Sequence, residues 1–230
     1  MARKKSCIGT FTELWKAHEK LYLDIFCRAL SLLTINNEQR KEENIISRAL
    51  CPILRQICFN DGNGVAVPKW ELPIPPDSGD EEKTNQKRPD FTCSLTNSTA
   101  DSAETYEIPL HIECKRLGDK SSSSWYLNKN YVGKGINRFD DNEYNYGKYA
   151  PSGIMIGYIV NSTKGTILTE VNSYLSERID PLEFVSIRKL DVCESKYKRN
   201  VIEPFDFTLH HIWVDVREES IILTDNLSND

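Results

Sequence analysis

Two short stretches of this 230-residue chain hold residue types suited to phosphate and metal chemistry. The first is Pro89-Asp90, at the front of an alternating run over 90–95. The second is Glu113-Cys114-Lys115, at the end of an apolar-rich run over 105–115. Residues two apart on a strand share a face, so Glu113 and Lys115 project together and Cys114 turns the other way. The small thiol suits packing, and the Cys114 backbone carbonyl remains beside the pair. If the two runs pair as a hairpin, Asp90 reaches the same sheet end as Glu113, 23 residues later. Two carboxylates and a carbonyl form an all-oxygen site suited to Mg²⁺, with Mn²⁺ expected to substitute. A lysine beside them can hold or activate a water and stabilise phosphate charge. The combination is equipment for metal-assisted hydrolysis of a phosphodiester. Taken singly, each piece has an ordinary reading. Asp90 can start a strand, and Glu113 with Lys115 can be a surface ion pair of small energetic value.

The elements that must position these residues follow from periodicity. A helix is predicted over 10–34, capped by Thr10 or Thr12, with Leu14, Ala17, Leu21, Ile25 and Leu32 at helical spacing. A polar break over 36–44 begins a second helix with an apolar stripe through Ile46, Leu50, Leu54 and Ile57. Pro52 inside that pattern predicts a kink or restart. An extended segment over 65–75, a polar loop over 76–87, then strands over 90–95 and 105–115 follow. A helix is expected over 126–140, which puts Lys134 and Arg138, four apart, on one face. The nearly all-apolar run over 153–160 reads as a strand covered on both sides. A helix over 163–178 and a last strand over 205–216 complete the order. The fold class is α/β, a central mixed β-sheet flanked by helices.

Composition narrows the function. The content, 39% hydrophobic and 27% charged, is enough for a sizeable core. A net charge of -5 rules out a globally basic nucleic-acid footprint. Locally the balance differs: from Glu113 to Arg138 six basic residues face two acidic ones. Seven scattered cysteines without CxxC spacing fit a reducing cytoplasmic setting rather than a zinc ribbon. The sequence lacks a GxxxxGK[ST] loop and a GxSxG elbow, which argues against ATP hydrolysis and serine catalysis. No membrane span is expected. The adjacent His210 and His211 point to opposite strand faces, which argues against a shared metal. His111 shares the Glu113 face one step deeper. The KYKR stretch over 196–199 reads as a solvated loop. Trp125 and Tyr126 can either pack or stack on bases.

Pro89-Asp90 followed by Glu113-x-Lys115, each on its strand, resembles the PD-(D/E)xK nuclease superfamily, whose members have the restriction-endonuclease-like fold. The resemblance covers roughly 40–160 and implies that Asp90, Glu113 and the Cys114 carbonyl hold Mg²⁺ while Lys115 positions or activates the attacking water. The family often draws a further acid from an early helix. In KEENIISRALCPILRQI the spacing to Pro52-Ile53-Leu54 makes Glu42 the better match and Glu43 the fallback. The stretch over 131–160 is similar to the post-motif region of small defence-associated nucleases, which makes Lys134 and Arg138 candidates to touch substrate phosphates. The resemblance implies one nuclease-like domain over 1–230, with a helical part over about 10–60, a catalytic core over about 61–180 and a C-terminal strand region over about 181–230. The implied activity is Mg²⁺-dependent hydrolysis of DNA, as the nuclease component of a prokaryotic defence or restriction system. The implied partners are DNA, a targeting or ATPase subunit, and further copies of the chain. The alternative is a catalytically inactive nuclease-fold protein that serves as an interaction or nucleic-acid-binding subunit.

Overall fold

A computed structural model of the chain describes residues 10–62, 64–74, 87–120, 125–187 and 189–217. Cys7, the serine run over 121–124 and nearly all of the polar loop expected over 76–87 lie outside the described residues.

The chain opens with α1 (Phe11–Leu32) and α2 (Glu43–Asp61). Thr10 caps α1 in a reciprocal capping box with Glu13, which satisfies two backbone N–H groups at the helix start. The buried face of α1 runs through Trp15, Tyr22, Ile25, Phe26, Ala29 and Leu30. Of the stripe expected from aliphatic spacing, Leu21 and Leu32 are exposed. Large aromatics bury more area than aliphatic side chains and decide which face turns inward. α2 runs unbroken through Pro52 and buries Ile46, Leu50, Leu54 and Ile57, as the stripe predicted.

Seven strands form one mixed sheet, in the order β1-β2-β3-β4-β7-β6-β5. They are β1 (Lys69–Trp70), β2 (Phe91–Thr96), β3 (Glu107–Leu117), β4 (Ser152–Ile159), β5 (Val185–Ile187), β6 (Leu190–Lys198) and β7 (Asp206–Asp215). β2 and β3 are the expected antiparallel hairpin, while β4 lies parallel to both β3 and β7. All eight residues of β4 are buried, as a strand covered on both faces requires. One layer of core packs α1 and α2 on the sheet through Ile112, Cys114, Ile154 and Ile156. The other packs Leu117, Met155, Ile159 and Trp213 beneath α3 (Leu127–Gly133) and α4 (Lys164–Tyr174). The α/β class with helices flanking a central sheet is therefore the architecture.

Three local expectations need correction. The helix expected over 126–140 breaks at Lys134-Gly135 into α3 and a 3₁₀ turn, Ile136–Asp140. Lys134 and Arg138 thus do not share a helical face. A Cβ at position 135 would fall 2.4 Å from the Tyr131 carbonyl oxygen and 2.6 Å from Met155 Cε, so glycine lets the broken turn sit down on the sheet. β5 and β6 lie between the helix expected over 163–178 and the strand expected over 205–216, and Lys196, Tyr197 and Lys198 belong to β6 rather than to a solvated loop. Tyr197 and Arg199 are buried.

Candidate active site

β2 begins its pairing at Phe91, opposite Ile112, whereas β3 runs on to Leu117 against β4. Beyond Ile112 the β2-facing edge of β3 is left without a strand among the described residues. Two carboxylates take the missing strand's place. The Cys114 N–H donates to Asp90 Oδ2 at 2.6 Å, and the Arg116 N–H donates to Glu43 Oε2 at 3.0 Å. A buried N–H left unpaired costs about 1–3 kcal/mol, so these contacts offset the loss of sheet pairing. They also set two acids side by side along the strand edge.

Glu113 and Lys115 leave the opposite face from the Cys114 thiol, as the strand period requires. Cys114 is fully buried in the α1–α2 core layer. Burial pushes its thiol well up, so it is an inert packing group. Lys115, only 8% exposed, donates from Nζ to Glu113 Oε1 (2.6 Å), the Cys114 carbonyl (2.7 Å) and Glu43 Oε1 (2.8 Å). Arg138 Nη1 donates to the same Glu113 Oε1. The remaining oxygen, Glu113 Oε2, is buried and finds no hydrogen-bond partner among the described residues.

The electrostatics are those of a crowded buried cluster. Burial, reinforced by Glu113, raises the Asp90 carboxyl well above the usual range, against the pull of Lys115. Burial also raises Glu113, with Lys115 and Arg138 pulling it back. Burial alone would lower Lys115, but Glu113, Glu43 and Asp90 around it outweigh that and hold it charged. Three acids thus share two cations, and among the described residues the Asp90 side chain accepts only a backbone donor.

The structure brings Asp90, Glu113, the Cys114 carbonyl, Lys115 and Arg138 together. It does not bring Glu42 to them. Glu42 is the exposed N-cap of α2, and Glu43, one residue on, carries the helix carboxylate to Lys115. A helix turns about 100° per residue, so spacing to Pro52 alone does not separate two adjacent acids. Lys134 points away: its Nζ lies 3.9 Å from the centre of the Trp125 ring. His111 Nδ1 accepts the Gly147 N–H at 3.0 Å and its ring packs on Tyr146. Burial pushes its imidazole down to about 3, so it stays neutral and braces the loop rather than touching the carboxylates. His211 is likewise neutral, held down to about 3 by burial between Tyr131 and Ser195.

Some neighbours carry no spacing signal in the sequence. Two cations approach the Tyr144 ring, Arg138 Cζ at 4.6 Å and Lys87 Nζ at 4.1 Å from its centre. Arg199 donates to the carbonyls of Phe139 (3.1 Å) and Gly147 (3.2 Å), which ties down the loop that aims Arg138 at Glu113.

The donor set fits a hard divalent cation. Among the described residues, no three His, Cys, Asp or Glu side chains converge as a ready metal cage. Mg²⁺, however, takes only one or two carboxylates and completes its shell with water and substrate oxygens. Asp90, Glu113 Oε2 and the Cys114 carbonyl, which accepts Lys115 Nζ, are the oxygens that would hold such an ion. Comparison with family models, curated proteins and solved structures returns no significant match to this chain.

Proposed function

We propose that the chain is a nuclease of the PD-(D/E)xK type that hydrolyses DNA phosphodiester bonds with Mg²⁺, or with Mn²⁺ in its place. The observation that supports this reading best is the cluster at the open edge of β3. There Asp90 and Glu43 cap two successive free N–H groups, and Glu113 presents a buried oxygen that is unpartnered among the described residues, beside the Lys115 ammonium. A cation with its bound waters at that oxygen would compensate its desolvation.

In this reading Asp90, Glu113 and the Cys114 carbonyl would hold the cation, which supplies Lewis-acid stabilisation of phosphoryl charge when bound. Lys115 is charged and donates into the same cluster, so it orients the attacking water and stabilises developing negative charge rather than starting as a free base. Glu43 fixes the Lys115 Nζ and the Arg116 backbone at once, and so sets the angle from which the lysine acts. Arg138 is half-buried on Glu113 Oε1 and offers its remaining donors to a substrate phosphate. Service as the nuclease component of a prokaryotic defence or restriction system, with a targeting or ATPase subunit and self-association, is part of the same proposal and rests on the resemblance.

The test is cleavage of plasmid and linear DNA by the wild-type chain and by Asp90→Ala and Lys115→Ala, with Mg²⁺ or Mn²⁺. Cutting by the wild type and its loss in both variants supports the assignment. Unchanged cutting by both variants would remove the site from the proposal. A wild type that cuts neither DNA nor RNA, alone or with its partner subunit, would remove the activity.

A further inference from the structure

Large aromatics at a strand–helix junction normally pack inward. Trp125 and Tyr126 do not: they are consecutive, just before α3, and remain 42% and 46% exposed. Each faces a lysine. Lys134 Nζ lies 3.9 Å from the Trp125 ring centre, and Lys120 Nζ lies 5.9 Å from that of Tyr126. Their mount is anchored to the core. The next two residues, Leu127 and Asn128, are buried, and Asn128 accepts the Gly118 N–H at 2.9 Å and donates to Glu170 at 2.8 Å. The mount also adjoins the catalytic cluster. Lys134 precedes Gly135, where a Cβ would stand 3.2 Å from Lys115 Cγ.

We propose that Trp125 and Tyr126, with Lys134 and Lys120, form a stacking platform for the unpaired bases of a single-stranded nucleic acid leading into the Lys115 site. The proposal rests on the nuclease reading and names its substrate class. Stacking needs a free base face, which a paired duplex hides and an unpaired strand offers. The lysines supply what such a strand also needs, positive charge along the path of its phosphates. An otherwise acidic protein concentrates that charge here, where exposed Lys129 adds to Lys120 and Lys134. A ring already faced by an ammonium suits a polyanion better than an apolar protein surface, which would have to desolvate the cation.

The test uses the full chain in chelator, so that binding is read without cleavage. Fluorescence anisotropy would compare a labelled single strand of roughly 12 nucleotides with the blunt duplex of the same sequence. Wild type should hold the single strand at least about tenfold more tightly. Trp125→Ala and Tyr126→Ala should each weaken it roughly 5- to 150-fold, the range for loss of one stacked base. Trp125→Phe and Tyr126→Phe should keep most of the affinity, which separates stacking from misfolding. Equal affinity for strand and duplex, or alanine variants that bind like wild type, would overturn the platform. So would sedimentation showing a dimer that Trp125→Ala dissociates. Adding Mg²⁺ separates the two proposals. Strand binding without cutting would sink the nuclease reading and leave the platform, whereas cutting with no strand preference would do the reverse.

Discussion

The Asp90 carboxylate accepts the backbone N–H of Cys114 at 2.6 Å, across 24 residues of chain. That contact registers one candidate ligand against the backbone that offers another, the Cys114 carbonyl. It also leaves Asp90 buried beside Glu113, which raises its carboxyl. A carboxyl raised on folding binds its proton more tightly in the folded state. Its contribution to stability is present below the ordinary value of 3.8 and is lost as pH rises through the folded value.

At neutral pH Asp90 therefore costs stability in the metal-free protein. Asp90→Asn keeps an acceptor for the Cys114 N–H and removes the ionisation. Cleavage should fall to background while the melting temperature in chelator rises, by roughly 2–4 °C per kcal/mol released. Thermal melts at pH 7 and pH 4 check the sign, because the gain should shrink at the lower pH.

Lys115→Met removes the cation that joins Glu43, Glu113 and the Cys114 carbonyl. Cleavage should drop about 10²–10³-fold. Stripping the cation from buried carboxylates should cost about 3–5 kcal/mol in chelator. Mg²⁺ should then stabilise the variant more than it stabilises wild type, because the carboxylates it meets have lost the lysine's charge. Paired melts with and without Mg²⁺ measure the difference.

The two adjacent helix acids should separate cleanly. Glu43→Gln disturbs both Lys115 Nζ and the Arg116 N–H and should cost about 10–100-fold in turnover, as loss of a group that orients a site residue does. Glu42→Gln changes an exposed cap and should leave turnover within about twofold. Single-turnover cleavage at saturating metal distinguishes them.

This pair shows where the sequence was informative and where it was not. The period-2 rule placed Glu113 and Lys115 on one face and Cys114 on the other, because strand geometry is the same in every sheet. The hairpin that brings Asp90 to Glu113 was legible from alternation and turn residues. The choice of Glu43 over Glu42 depends on the rotation of α2 about its axis, which tertiary packing of Ile46 and Leu50 sets. The break at Lys134-Gly135 was hidden because the 3.6-residue pattern continues through it, with Tyr131, Ile136 and Phe139 all buried. β5 was missed because a three-residue strand at a sheet edge carries too little alternation, and β6 because its alternate positions hold Glu194, Lys196 and Lys198, which read as solvated. Arg199 was lost in a basic run that looks solvated, since its partners are backbone carbonyls and carry no residue-type signal.

Metal and proton should compete at the site. Both Asp90 and Glu113 are raised by burial, so divalent affinity should fall as pH drops through their folded values. At fixed sub-saturating Mg²⁺ the rate should climb with pH, and more Mg²⁺ should move that climb to lower pH. Neither His111 nor His211 should shape the profile, because burial holds each down to about 3. Rate–pH curves at two Mg²⁺ concentrations decide the point, and curves that superimpose would count against metal ligation by these carboxylates.

The most direct measurement is a Mn²⁺ titration of the purified chain followed by electron paramagnetic resonance, with Asp90→Asn, Glu113→Gln and Glu42→Gln in parallel. Wild type and Glu42→Gln should each bind Mn²⁺ at a site that both Asp90→Asn and Glu113→Gln lose. A wild type that binds no Mn²⁺, or binding that survives unchanged in both ligand variants, would contradict a divalent-cation site at the open edge of β3.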